Sequence, residues 1–447
     1  MSYVPTTSSE REAMLGAIGV SSVSDLFAAI PKTLRLTEDL PLPPSMVEAE
    51  LITHMRELAA KNLDMDALTS FLGAGCYDSL IPSAVKHVLS RGEFLTAYTP
   101  YQAEVSQGVL QAIFEFQTMI CELTGMEAAN ASMYDGATAL AEACLMACNA
   151  AKRTKVVLAG GVHPEWKEVV RLYLRHQDIE VVDLPWDRST GVSDVQRLEE
   201  IVDSSSACVV VQQPNFFGCL EPVQDLGDHI HRLNGLFVMA VDPASLGVVK
   251  APGEYGADIA VGDGQSLGNS PSFGGPSVGF FAASQRLLRR MPGRIVGETK
   301  DKQGRRGYVL TLQTREQHIR RQKATSNICT NQALNALAAT VYLCLIGRQG
   351  IRELGCLSMQ KAAYLRSRLE SLGLAIPFSA PVFREFVVAS PVNWQEVNER
   401  LLDMGFLGGL WLGDSFDELQ HCCLLTVTEA RTKSEMDRFS TVLGGLI

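Results

Sequence analysis

The stretch "DIAVGDGQSLGNSPSFGGPSVGFF", residues 258–281, decides the fold of this chain. It predicts a buried strand, then a loop of small and turn-forming residues, then a second strand. A loop with so little side-chain bulk lets the backbone approach another group closely, and this loop follows the carboxyl end of a strand. Yet it contains no lysine, histidine or cysteine, and its single ionisable side chain is Asp263.

Short apolar runs recur before and after this loop, with helical or loop segments between them. They lie at 155–159, 179–184, 207–212, 236–241, 258–261 and 277–282. Continuous apolar runs that alternate with helices predict a mostly parallel sheet covered on both faces. An amphipathic helix over about 103–123, with Gly125 as its C-terminal cap, precedes these runs.

The length of 447 residues predicts two or three lobes. Residues 1–90 are predicted to form a helical arm, in which Ser9 and Glu12 suggest a capping box, and a Pro-rich linker. A large α/β domain over 91–325 and a smaller α+β domain over 326–447 are predicted to follow.

Composition excludes several classes of protein. A net charge of −11 argues against a nucleic-acid-binding surface. The sequence has no window of 18 uncharged apolar residues and no secretory signal, so a membrane or secreted protein is not predicted. Eleven cysteines without a CxxC pair favour reduced thiols in the cytoplasm over disulfides or a zinc site. GxGxxG, Walker and HExxH motifs are all missing from the sequence, so it predicts no metal centre or nicotinamide enzyme, and a serine hydrolase is not expected either.

The segment "TAYTPYQAE" carries Tyr98 and Tyr101 on a loop ahead of a helix. Tyrosines in such a place can direct their hydroxyl groups into a cleft near the positive end of the helix dipole. The alternative is that both rings pack between the lobes.

Two further positions could face a ligand. Gly136 and Thr138 open a predicted helix, whose backbone N–H groups suit a phosphate, although helix capping would explain the same residues. Asp242 ends a predicted buried strand, where a carboxylate can face the ligand crevice or cap the next turn.

A basic run, residues 305–323, stands out in this acidic chain. It leads directly to Thr325, Ser326 and Asn327, whose hydroxyl and amide groups suit an anion. A solvated surface would explain the same charges.

The order of these features resembles the aspartate aminotransferase-type fold of pyridoxal-phosphate enzymes (fold type I). More specifically, "FLGAGCYD", "YTPYQAEVSQGVLQAIFEFQTMICELTGMEAANASMYDGATALAEA", "KATSNICTNQAL" and "TVTEARTKSEMDRF" closely resemble the glycine decarboxylase P-protein family. The resemblance is to the N-terminal half of that protein, which in many bacteria is a separate alpha subunit, and it covers essentially the whole chain.

The resemblance also explains the loop that lacks a reactive group. In the catalytic half of the family, a lysine lies eleven residues before the proline of a GGP, and counting back from Pro276 gives Gln265. An amide nitrogen is neither nucleophilic nor basic, so Gln265 cannot form a Schiff base. Asp242, Gly136 and Thr138 would then be relics of a cofactor site, and no catalytic residue is expected in this chain alone.

The resemblance implies a subunit of glycine decarboxylase that pairs with a beta subunit as an α2β2 heterotetramer. The beta subunit would bind pyridoxal phosphate covalently, and the pair would decarboxylate glycine and pass the aminomethyl group to the lipoyl arm of the H-protein. Tyr98 and Tyr101 would line the pocket of the partner, and Thr325, with Ser326 and Asn327, would contact the cofactor phosphate across the interface. The alternatives are a stand-alone binding or regulatory protein and a cofactor enzyme that uses Lys250.

Overall fold

The computed structural model describes residues 5–36, 38, 40–328 and 330–447, so Cys329 of the ATSNICT motif lies outside the described residues. The chain divides into two compact units, 1–63 and 64–447. The first contains helices α1 (Ser8–Ile18) and α2 (Glu48–Ala59), and none of its described residues is buried. The capping box predicted at Ser9 is wrong, because Thr7 is the extended residue before α1 and bonds reciprocally with Glu10.

The second unit contains all the strands of the described residues. In chain order they are β1 (Thr69–Ser70), β2 (Ala128–Ala129), β3 (Lys155–Ala159), β4 (Glu180–Leu184), β5 (Ser206–Gln213), β6 (Leu236–Val241), β7 (Ile259–Asp263), β8 (Gly279–Ala283), β9 (Ile295–Lys300), β10 (Arg306–Thr311), β11 (Glu385–Ala389), β12 (Phe406–Leu407), β13 (Leu410–Trp411) and β14 (Cys422–Thr426).

Helices of the second unit separate or flank these strands. They are α3 (Ser83–Leu89), α4 (Gly92–Leu95), α5 (Gln107–Thr124), α6 (Gly136–Ala151), α7 (Pro164–Leu174), α8 (Leu198–Ile201), α9 (Val223–Arg232), α10 (Gln317–Arg320), α11 (Ala333–Ser371), α12 (Trp394–Asp403) and α13 (Lys433–Gly444). The helix predicted over 103–123 begins as a 3-10 turn at Ala103–Val105, and its main part ends at Gly125 in the left-handed conformation.

A seven-stranded sheet forms the centre of the second unit, in the order β2-β8-β7-β6-β5-β3-β4. Strands β7, β6, β5, β3 and β4 pair in parallel, while β8 pairs antiparallel with both β7 and β2. All six predicted apolar runs are strands of this sheet. Most of their side chains are buried, because helices such as α6 and α9 pack against the sheet.

A smaller sheet, β11-β14-β13, packs with α12, α13 and the last part of α11 around a second core. Strand β1 pairs with β12 in parallel, so residues 69–70 of the predicted linker belong to this end of the fold. The predicted domain boundaries at 90 and 325 stay a prediction. Within the described residues, α11 alone is long and apolar enough to cross a membrane by length and composition, and 39% of its most apolar 18-residue segment is buried.

Candidate functional site

The carboxyl ends of two neighbouring strands place polar side chains in one crevice. Asp242 directly follows β6, Asp263 ends β7, and Gln265 comes two residues later. Because β6 and β7 pair in parallel, these ends lie at the same edge of the sheet. In folds of this kind that edge is where ligands bind.

Asp242 is paired inside the chain. Its Oδ2 lies 2.7 Å from Nη2 of Arg384, a side chain that is only 1% exposed. The Arg384 guanidinium also lies over the ring of Tyr77, with Cζ 3.5 Å from the ring centre. The other oxygen of Asp242 accepts a hydrogen bond from the N–H of Ala244 at 3.0 Å. The carboxylate therefore neutralises a buried cation and caps the following turn.

Gln265 bonds to backbone groups on both sides of the crevice. Its Oε1 accepts a hydrogen bond from the N–H of Tyr77 at 2.8 Å. Its Nε2 donates to the carbonyl oxygens of Tyr77 at 3.0 Å and Asn269 at 2.7 Å. A primary amide can donate and accept at once, which a lysine cannot. Gln265 therefore holds the segment around Tyr77 in place.

Glu385, at the start of β11, secures the same segment from the smaller sheet. Its Oε2 accepts a hydrogen bond from the Tyr77 hydroxyl at 2.9 Å, and its Oε1 accepts from the N–H of Ala74 at 2.8 Å and from the Thr426 hydroxyl at 2.9 Å. Burial raises the pKa of Glu385, although these bonds and the charge of Arg384 oppose the shift. The segment 73–78 is thus fixed across the crevice.

The start of α6, where the sequence suggested a phosphate, is filled by Asp263. Its Oδ2 accepts a hydrogen bond from the N–H of Gly136 at 3.0 Å, and its Oδ1 accepts from the N–H of Gln265 at 2.9 Å and from the Ser277 hydroxyl. Burial raises the pKa of Asp263 to about 6, against the opposing effect of these bonds. A carboxylate suits the positive end of the helix dipole, as an anion would.

Packing and capping account for Gly136 and Thr138. A Cβ on Gly136 would lie 2.3 Å from the indole of Trp166, so only glycine fits. The N–H of Thr138 donates to Oδ1 of Asp135 at 2.8 Å, and the N–H of Asp135 donates to the Thr138 hydroxyl at 3.3 Å. This reciprocal pair is the capping box that the sequence left open as an alternative.

His163, four residues after β3, was missed by sequence reasoning. Its Nδ1 accepts a hydrogen bond from the N–H of Glu165 at 3.2 Å, so its Nε2–H donates to the carbonyl oxygen of Ala74 at 3.0 Å. Burial lowers the pKa of His163, and its ring stacks on Trp166 with centres 5.9 Å apart. The signal was "GGVHPEW" directly after a strand, although nothing in the sequence connects it to Ala74.

Tyr77, Arg384 and Glu385 were missed for the same reason. Tyr77 lies in the motif "FLGAGCYD", and Arg384 and Glu385 begin the segment "REFVVAS". Tyr77 and Glu385 are 308 positions apart in the sequence. Their hydrogen bonds and ion pair exist only in the folded chain.

These contacts do not fit a covalently bound pyridoxal phosphate. By the resemblance, the cofactor would need a lysine amine at position 265, a free helix N-terminus and a free carboxylate at 242. Here the three places hold the Gln265 amide, the Asp263 carboxylate and the Asp242–Arg384 ion pair. Among the described residues there is also no group of three potential metal ligands.

The "YTPYQ" segment lies on the outer surface instead. The ring of Tyr98 is 88% exposed and that of Tyr101 is 54% exposed. The Tyr101 hydroxyl accepts a hydrogen bond from Nη2 of Arg294 at 3.1 Å, and the Tyr101 ring meets the edge of His318 at 6.2 Å between centres. Tyr98 therefore does not pack between lobes of this chain.

Thr325, Ser326 and Asn327 differ in their contacts. Thr325 is half-buried, and its hydroxyl has no hydrogen bond to any described residue. The Ser326 hydroxyl donates to Oε1 of Glu142 at 2.7 Å, while Asn327 is exposed. Burial raises the pKa of Glu142, against the effect of this bond.

Two adjoining cavities bring the tyrosine loop and this segment together. Tyr98 and the start of α11 line the larger one, of about 270 Å³, and Thr325 and Ser326 line a narrow one of about 20 Å³. Arg294, which is buried, lines both. Two motifs more than 200 residues apart in sequence thus flank one arginine.

The basic run divides into three kinds of side chain. Arg305 pairs with Asp301 at 2.7 Å, and Arg315 donates to the carbonyl oxygens of Met291 and Gly293. Arg320, Arg321 and Lys323 are exposed. The run therefore combines structural contacts with a solvated surface.

Comparison with known proteins gives the same family over the whole chain. The family model "Glycine cleavage system P-protein" matches residues 1–443. A protein of Carboxydothermus hydrogenoformans named "Probable glycine dehydrogenase (decarboxylating) subunit 1" is 54% identical over 445 residues, which cover 100% of both chains. A similarly named protein of Anoxybacillus flavithermus is 51% identical over 99% of this chain and 98% of its own length.

A solved structure agrees. The inhibitor-bound crystal structure of glycine decarboxylase (P-protein) of the glycine cleavage system matches with a TM-score of 0.91 and 44% identity, covering 100% of both chains. Glutamate decarboxylase of Lactobacillus brevis, at 13% identity, 95% and 96% coverage and a TM-score of 0.68, shares the fold alone. The fold is therefore the aspartate aminotransferase-like fold type I, and the chain belongs to the glycine cleavage system P-protein family.

Proposed function

We propose that this chain is the lysine-less alpha subunit of a two-subunit glycine decarboxylase. The observation that carries the proposal is Gln265 at the lysine position, bonded to Tyr77 and Asn269, in a chain that matches proteins named subunit 1 from end to end. A chain without the reactive amine needs a partner that supplies it. The partner is the beta subunit, and the assembly is an α2β2 heterotetramer.

The pair acts on glycine. The bond between the α-carbon and the carboxyl carbon breaks and CO2 leaves. The aminomethyl carbon then bonds to one sulfur of the oxidised lipoyl group on the H-protein, and the other sulfur becomes a thiol, so the disulfide is reduced. Pyridoxal phosphate, held covalently by the beta subunit, supplies the electron sink for this chemistry.

This chain contributes residues on its outer surface. Tyr98 and Tyr101 line the cofactor and glycine pocket of the partner, and both are exposed in the single chain. Thr325 donates its free hydroxyl to the cofactor phosphate, with Ser326 and Asn327 beside it. Asp242, Gly136 and Thr138 keep structural roles in a crevice that once held a cofactor.

Both alternatives have less support. Lys250 is exposed and its Nζ lies 5.8 Å from the ring centre of Tyr255, outside the crevice that Gln265 and Asp242 line. A stand-alone regulatory protein is not favoured, because the relatives that match end to end are named as subunits of glycine dehydrogenase. A cytoplasmic location stays an expectation.

The test is an affinity purification of the tagged chain from its native host, with the visible absorbance of pyridoxal phosphate recorded. We expect a second chain of similar size to co-purify and to carry the cofactor on its own lysine, as peptide mass spectrometry after borohydride reduction would show. A colourless chain that purifies alone would favour the regulatory alternative, and a yellow one would contradict the assignment of Gln265.

A further inference from the structure

The loop between β7 and β8 exposes an aromatic ring at its tip. Phe273 is 83% exposed, although phenylalanine is usually buried. Its backbone has φ 54° and ψ 35°, a left-handed conformation that a bulky residue rarely adopts. Strain of this kind persists where the surrounding structure enforces it, often at functional positions.

Hydrogen bonds to the first turn of α11 hold the two ends of this loop in place. Asn335, in the first turn of α11, donates through Nδ2 to the carbonyl oxygens of Pro276 at 2.8 Å and Ser277 at 2.9 Å. In return, Nδ2 of Asn269 contacts the Asn335 carbonyl oxygen at 3.3 Å. Both ends of the loop are thus tied to one helix, and an aromatic ring held this way loses little freedom on binding.

The loop has the composition of an interface core. No charged residue lies between 264 and 284, in a chain with 20% charged residues. The centres of protein interfaces are depleted in charge and enriched in aromatic residues. Phe273 therefore has the chemistry of an interface anchor.

The loop lies beside the surface proposed to reach the partner. Asn335, which holds the loop, follows directly on Leu334, and Leu334 lines the cavity under Tyr98. Leu95, 58% exposed, and Tyr98, 88% exposed, line that cavity too. The base of the Phe273 loop and the cavity under Tyr98 thus share the first turn of α11.

We infer that Phe273 is an anchor by which this chain binds the beta subunit, so that the loop left without its lysine now serves assembly. The inference rests on the proposed function, since it takes the beta subunit as the occupant. It goes further by assigning the contact to a residue outside the set that the proposed function places at the partner's cofactor pocket.

The experiment measures the dissociation constant between the full-length chain and the full-length beta subunit by calorimetry. Phe273→Asp should raise it at least tenfold, and should raise equally the beta-subunit concentration that gives half-maximal glycine decarboxylation. Phe273→Trp should bind within threefold of the wild type. The matched control is Leu172→Asp, since Leu172 is 62% exposed on α7 by strand β4, at the opposite end of the sheet.

The outcomes separate this inference from the proposed function. If the wild-type pair forms and Phe273→Asp binds within twofold of it, the anchor is overturned while the subunit assignment stands. A lower rate at an unchanged dissociation constant, or self-association of this chain that Phe273→Asp abolishes, would overturn the anchor in the same way. Failure of the wild-type chains to pair at all would overturn both.

Discussion

The crevice at the strand ends and the surface around Tyr98 and Phe273 differ in whether their side chains find partners within this chain. In the crevice, Asp242, Gln265 and Asp263 are each satisfied by groups of this chain. On the surface, Phe273 and Tyr98 are 83% and 88% exposed.

The difference indicates where a subunit without the Schiff-base lysine, as proposed here, can still act. A buried carboxylate or amide without a partner costs free energy, so the crevice is stable only if its own side chains satisfy those groups. Exposed rings that are held by the fold remain available to another chain. The four predictions below test this contrast from the largest expected effect to the smallest.

The Asp242–Arg384 ion pair should be the most sensitive part of the crevice. Asp242→Ala leaves the buried Arg384 guanidinium without its ion-pair partner, and breaking a buried pair in this way costs about 3–5 kcal/mol of unfolding free energy. Urea denaturation would measure the loss. The double variant Asp242→Ala with Arg384→Met should recover most of it, and equal instability of both variants would show that charge burial is not the cause.

Asp263 should give the chain a pH dependence opposite to that of an ordinary carboxylate. Its pKa is raised from 3.8 to about 6, so between those values the folded chain binds a proton that the unfolded chain does not. The stabilisation from this extra proton is thus complete below about pH 4 and is lost as the pH rises through about 6. The unfolding free energy falls by at most about 3 kcal/mol over that range, at about 1.4 kcal/mol per pKa unit.

The unfolding free energy of the wild type minus that of Asp263→Asn should therefore fall between pH 4 and pH 6 and stay level above it. Denaturation at half-unit steps of pH would measure this, and subtraction removes the other carboxylates common to both chains. A difference that stays flat across the range would mean that Asp263 is ionised throughout.

Placing a lysine at position 265 should not create a cofactor site. Gln265→Lys cannot accept the hydrogen bond from the N–H of Tyr77, so we expect a loss of about 1–3 kcal/mol of stability. After incubation with pyridoxal phosphate and borohydride, mass spectrometry should find no adduct at position 265 above the wild-type background. A specific adduct there would show that the crevice can open.

The smallest effect should come from the outer surface. Thr325→Val removes a hydroxyl that no described residue uses, so the single chain should keep its stability. The assembled pair should lose about 0.5–1.5 kcal/mol of cofactor affinity, or roughly two- to tenfold. Dialysis of the pair with absorbance detection would measure it, and the exposed, nearby Thr314→Val is the control. Equal cofactor retention by both variants would remove Thr325 from the phosphate contact.

The sequence by itself determined the central sheet and the edge at which Asp242 and Gln265 lie. Each of the six apolar runs is a strand of the large sheet, because a strand covered on both faces must be apolar throughout. Gly125, left-handed after α5, was equally readable, since capping depends on residues only a few positions apart. The specific motifs were sufficient to identify the family.

Only the tertiary structure decided what the crevice contains. Tyr77, Arg384 and Glu385 meet Asp242 and Gln265 from distant parts of the chain. No periodicity or spacing encodes such contacts, because they depend on how the two sheets pack. The same holds for Phe273. Phenylalanine is usually buried, yet this side chain is exposed on a loop whose base is bonded to Asn335. Local sequence patterns determine strands and helix caps, because these depend on residues close together in sequence. Contacts between residues distant in sequence are determined only by the folded tertiary structure.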